Sequence, residues 1–166
     1  MKKFLLLGLT AVFAVLLTAC GGEQEKEKAV DLSDASIPVE ERVTAAVHNV
    51  VGEKVGDDLD TVSSIKNSNG ILKVEINSEA HEGSKQSLLN DSAEIFASLA
   101  KMDDITSATI SWLAPLTDPY GNKSMGEILT IMIDGETFEK VNWDNYEALD
   151  LEQTAPGYKQ HDALKD

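Results

Sequence analysis

The stretch "NSNGILKVEIN", residues 67–77, decides the fold. Asn67, Ser68, Asn69 and Gly70 are turn residues: asparagine and glycine accept the backbone angles that a tight reversal needs. The next seven residues alternate. Leu72, Val74 and Ile76 fall on one side, with Lys73, Glu75 and Asn77 on the other, the period of a half-buried strand. A β-rich run, Thr61–Lys66, precedes the turn, so the two segments predict an antiparallel hairpin.

Helical periodicity flanks this hairpin. Val39, Val43, Ala46, Val47 and Val50 form an apolar stripe that predicts a helix beginning near Pro38, with Ser36 as its cap and Gly52 or Gly56 as its end. Residues 84–101 predict a second helix, buried through Leu88, Leu89, Ala93, Ile95, Phe96, Leu99 and Ala100. "ITSATISWL", 105–113, and "ILTIMID", 128–134, predict two further strands. Between them "APLTDPYGNKSMG", 114–126, is rich in breakers and predicts a loop. A short helix is expected over Glu136–Lys140. The order is α-β-β-α-β-β-α, and the expected fold is α+β: a four-stranded, mainly antiparallel sheet with helices on one face. The tail, 141–166, lacks periodicity but carries Trp143, Tyr146 and Tyr158, and is expected to wrap the domain.

The chain has one cysteine, Cys20. Lys2 and Lys3 precede an apolar run, Phe4–Leu17, and small residues follow it, the layout of a secretory signal. As a helix that run is about 21 Å long, short of a hydrocarbon core of about 30 Å. Leu17-Thr18-Ala19-Cys20 resembles the lipobox of bacterial lipoproteins. The resemblance covers residues 1–22. It implies that Cys20 receives a diacylglyceryl group and that cleavage before it removes residues 1–19. Other roles for Cys20 fail on chemistry. A disulfide has no second cysteine within the chain. A reactive thiolate is disfavoured beside Glu23, Glu25 and Glu27. A metal site has no histidine or cysteine nearby.

Residues 20–36 are highly charged and poor in large apolar groups, so they are expected to form a flexible acidic tether behind the lipidated cysteine. Residues 37–166 then make a single α+β domain. The layout and tail also resemble small lipoproteins of Gram-positive bacteria that have no assigned activity. No motif carries that likeness, and it transfers no functional residue.

Fourteen basic residues face 29 acidic ones, a net charge of −15. Such a chain repels nucleic acid and anionic headgroups, and is attracted, if to anything charged, to a cationic partner. His48, His81 and His161 stand in no short-spaced metal pattern. The hydrolase motif GxSxG and the glycine-rich phosphate loops are missing from the sequence. "DPYGN", 118–122, offers Asp118 and Asn122 to a calcium ion but lacks the ligand pattern, so a plain turn is the better reading. No metal or cofactor is expected. "WDNY", 143–146, reads either as an exposed recognition patch or as aromatic packing that closes the core, with packing favoured. Tyr120, Trp143 and Tyr146 are the candidate partner-binding residues.

The expected function is a membrane-anchored, extracytoplasmic lipoprotein that presents a small non-enzymatic binding or scaffolding domain. Its expected partners are the membrane, through the anchor on Cys20, and an envelope protein or cell-wall component. The alternatives are a small-ligand receptor or sensory lipoprotein and, last, an envelope hydrolase.

Overall fold

The computed structural model describes residues 30–80 and 84–164. The expected signal peptide, Cys20 and His81 lie outside the described residues. The predicted hairpin is present: β3 (Val62–Ser68) and β4 (Ile71–Asn77) pair in antiparallel register with Ser68 opposite Ile71. Asn69 and Gly70 make the two-residue turn, both at positive φ, 52° and 82°. A side chain at Gly70 would lie 2.9 Å from the Asp104 carbonyl oxygen, so space as well as φ demands glycine. Leu72, Val74 and Ile76 are fully buried, while Lys73 and Glu75 pair on the opposite face at 3.0 Å. Asn77 departs from the alternation. It is buried, because a small hairpin of β1 (Lys54–Val55) and β2 (Leu59–Asp60) folds over that end and the Asp60 carbonyl accepts from its amide at 2.9 Å.

The first helix, α1, spans Val39–Val51 and ends at Gly52. Ser36 does not cap it. Its hydroxyl donates to the Asp34 carboxylate instead, at 2.6 Å. The second helix, α2 (Lys85–Leu99), carries the chain from the end of β4 back to its start. That crossover makes the next strand, β5 (Ser107–Thr117), parallel to β4. β6 (Lys123–Ile133) returns antiparallel to β5. Helices α1 and α2 pack on each other, and their apolar residues share one core with the buried strand residues.

The molecule is α+β as expected, but the main sheet has five strands, in the order β3-β4-β5-β6-β7, beside the separate two-stranded β1-β2 sheet. The fifth strand comes from the tail, which is more regular than its sequence suggests. After α3 (Gly135–Lys140), a 3₁₀ helix (Trp143–Ala148) and α4 (Leu151–Thr154), β7 (Gly157–Gln160) pairs with β6 through backbone groups, which need no apolar pattern.

The expected loop 114–126 is also corrected. β5 and β6 continue through it as a two-stranded arm, and only residues 118–122 turn. The Leu113 carbonyl accepts from Ser78 where β4 ends. Two residues on, the Pro115 nitrogen faces the same, now unpaired, side, so its missing N–H breaks no ladder bond. At the base of the arm Trp112 pairs with Leu129 but Leu113 with Glu127, which leaves Ile128 as the extra residue of a β-bulge. The bulge turns Glu127 to the outer face, 3.6 Å from Lys73.

Residues 30–36, expected as the end of a loose tether, are docked. Leu32 packs against the core, and the Leu32 and Ile37 carbonyls accept from Arg42 at 3.1 and 3.0 Å. The ordered domain therefore reaches at least to Leu32 rather than starting at residue 37.

Candidate functional site

β4 and β5 run in one direction, so the domain has two distinct ends. At their start the Thr106 amide donates to the Gly70 carbonyl, and Arg42 holds both Asp104 and the incoming residues Leu32 and Ile37. At their finish, about 20 Å away at 3.3 Å per residue, lie Asn77, the β1-β2 hairpin and the arm.

A trough opens at this far end. Its first part, about 350 Å³, has an apolar wall made by Val50 and Val51 at the end of α1, Val55 of β1, Leu88 of α2 and Trp112 of β5. The second part, about 390 Å³, lies between the small hairpin and the arm, against Leu59, Pro115 and Met125. Val55, Gly56, Ser78 and Glu79 border both parts, so the two adjoin. Gly56 has φ 60°, and a side chain there would lie 2.9 Å from a Glu79 carboxylate oxygen. The hairpin thus bends so that Glu79 rests at the junction of the two parts.

The polar groups of the trough are of two kinds. Thr61 is 1 % exposed, and among the described residues its hydroxyl finds no hydrogen-bond partner. An unmade bond of this kind costs about 1–3 kcal/mol. The rim carries Asp57, Asp58, Glu79 and Asp91. Burial pushes the Asp91 carboxyl above the usual carboxylate range, and the charge of Glu94 adds to the effect. Lys54 is the cation of the lining, and it is committed to Asp60 at 2.5 Å. Asp91 also borders a smaller cavity of about 260 Å³ on the other side of α2, with Glu94, Tyr146 and Glu147.

The candidate residues from the sequence lie apart. Tyr120 is 90 % exposed at the tip of the arm. Its turn is held by Asp118, which accepts from the Tyr120 and Asn122 amides with one carboxylate oxygen and from the Asn122 side chain with the other. Both oxygens are therefore engaged in the turn. Trp143 is half-buried; its indole donates to the Phe138 carbonyl at 2.8 Å, and its ring lies against Phe138 and Phe96. Tyr146 packs on the core beside the smaller cavity. The His161 ring accepts from the Ala163 amide, and among the described residues no three metal-ligating side chains gather.

Sequence reasoning missed the trough. Its lining comes from α1, the small hairpin, the end of β4, α2, β5 and β6, and no motif spans them. The signals were faint: "GDDL", 56–59, is a turn next to an apolar residue, and Trp112 sits in a strand that was read only as core. Among the described residues no helix is long and apolar enough to cross a membrane. No family model, curated protein or solved structure matches the chain.

Proposed function

We propose that this chain is a lipid-anchored extracytoplasmic protein whose α+β domain binds a partner without transforming it, through the trough at the end of the sheet. The observation that carries this reading is the polarity of the domain. The chain enters beside Arg42, at one end of β4 and β5, and the trough opens at the other. With Cys20 acylated, the entry end faces the bilayer and the trough and arm face outward. The lipobox supports the anchor, and the net charge of −15 disfavours any nucleic acid or anionic surface as the partner.

The test is made on intact cells. Metabolic labelling with an alkyne fatty acid should mark the wild-type protein and not Cys20→Ser, which should accumulate as precursor. A cysteine placed at the arm tip by Tyr120→Cys, in the wild-type background, should react with a membrane-impermeant maleimide without lysis. Labelling that requires lysis would refute the outward-facing arrangement, and acylated Cys20→Ser would refute the anchor.

A small-ligand receptor is the second reading. It is favoured by the first part of the trough, where the Thr61 hydroxyl lacks a partner among the described residues.

A further inference from the structure

We propose that the trough holds an extended basic peptide segment of an extracytoplasmic partner, with lysine or arginine side chains against its acidic rim and intervening apolar side chains in its two hollows. This rests on the binding role proposed above and names the ligand class for the same site.

Four observations converge on it. The rim carries Asp57, Asp58, Glu79 and Asp91, whereas the Lys54 cation is already neutralised by Asp60. A cationic occupant is therefore attracted and an anionic one repelled, and the acidic surface as a whole steers a basic chain toward contact. Leu59 and Met125 are 43 % and 41 % exposed, and they flank the same hollow from the two hairpins. An ion alone has no use for that apolar pair, whereas an alternating basic and apolar chain matches both surfaces.

The shape agrees. Volumes of about 350 and 390 Å³ lie at the small end of the range for single ligand pockets. They adjoin as two open hollows rather than one closed chamber, which suits successive side chains of a strand. The Thr61 hydroxyl, buried in the lining and without a partner among the described residues, leaves polar capacity unused in the free protein.

The experiment uses the full chain, purified in a non-ionic detergent, and fluorescent seven-residue peptides read by anisotropy. A peptide of alternating lysine and leucine should bind with an affinity that falls as salt rises. Replacing its lysines by glutamate should abolish binding, and replacing its leucines by serine should weaken it about tenfold. The variant Asp58→Asn/Glu79→Gln should lose about tenfold in affinity, and Leu59→Ser/Met125→Ser a similar factor. All four positions are exposed, so the fold should survive. Glu136→Gln/Glu139→Gln, on α3, is the control for diffuse charge and should change little.

Several outcomes overturn the proposal. One is an equal loss in the α3 control, and another is equal binding of the serine peptide. A third is displacement by a free alkyl diamine at the affinity of the peptide, which would mean a small amine ligand. A fourth is salt-independent self-association of the chain through Leu59 and Met125 with no peptide bound. Anchoring is read separately from Cys20→Ser, so a failed peptide titration leaves it standing, and loss of acylation leaves the peptide result intact.

Discussion

Arg42 grips Asp104, 62 positions further along the chain, with two hydrogen bonds of 3.1 and 2.5 Å to the two carboxylate oxygens. The same guanidinium, 2 % exposed, holds the carbonyls of Leu32 and Ile37. One side chain therefore ties the incoming segment, α1 and the loop before β5 together. Lysine cannot reproduce that planar fork. Arg42→Lys should cost about 2–4 kcal/mol, seen as a lower urea midpoint. A midpoint like that of the wild type would show that the clamp contributes nothing.

The clamp also gives a pH signature. Hydrogen bonding from Arg42 holds the Asp104 carboxyl below the usual range, against a smaller opposing effect of burial. A carboxyl depressed in the folded state adds stability above its unfolded pKa, and that stability is lost as pH falls through the folded value. The side chain is 44 % exposed, so solvent screens the pair and the effect is modest. The advantage of wild type over Asp104→Asn should be complete at pH 7 and decline below about pH 4. An advantage undiminished in strong acid would contradict this account.

Asp91 should behave in the opposite sense. Its carboxyl is pushed above the usual range, first by burial and then by Glu94, so the ionised form is disfavoured in the folded protein. Asp91→Asn should raise the melting temperature at neutral pH, and the gain should shrink as acid protonates the wild-type carboxyl. A lower melting temperature at pH 7 would mean that its bond with Ser87 outweighs the burial.

Trp112 and Ser92 form a buried polar pair under the trough. The indole donates to the serine hydroxyl at 2.8 Å, and that hydroxyl donates to the Leu88 carbonyl at 2.6 Å. Ser92→Ala leaves the indole N–H unmet and should cost about 1–3 kcal/mol. Once Trp112→Phe has removed the donor, Ser92→Ala should cost less, and a double-mutant cycle measures the difference. Strict additivity would show that the bond contributes nothing.

Two of the three aromatic candidates, Trp143 and Tyr120, should separate cleanly. Trp143→Ala removes ring packing on Phe96 and Phe138 and the bond to the Phe138 carbonyl. It should cost about 2–4 kcal/mol, a little under the range for a fully buried aromatic. Tyr120→Ser, at an exposed tip, should stay within about 0.5 kcal/mol of wild type. The reverse pattern would assign Trp143 to recognition and Tyr120 to the fold.

What the sequence disclosed follows from how local each feature is. The turn at Asn69 and Gly70, the alternation from Leu72 to Ile76 and the stripe through Val43 and Val47 are set by neighbours, and each could be read directly. The arm could not, because Pro115 and Gly126 break most strands and are tolerated here only where β4 has already ended. β7 is too short and polar to announce itself, and the edge of β6 recruits it through the backbone. Arg42 lies beside the apolar stripe of α1 but is buried, for a reason that sits at Asp104. The trough is the extreme case, since α1, the small hairpin, the end of β4, α2, β5 and β6 all line it and the pattern of each points only to the core.

β7 has a consequence beyond completing the sheet. The run Ile128-Leu129-Thr130-Ile131-Met132-Ile133 of β6 is uncharged, largely β-branched and free of proline, the composition of segments that stack into fibrils. Residues Leu129–Met132 are kept from other chains by a partner only four residues long. If cleavage or truncation removed the chain from Gly157 onward, one edge of a hydrophobic strand would lie bare. Strand β7 thus acts as a guard against aggregation, and losing the chain from Gly157 onward would bare this edge as well as take Tyr158 and Leu164 from the core.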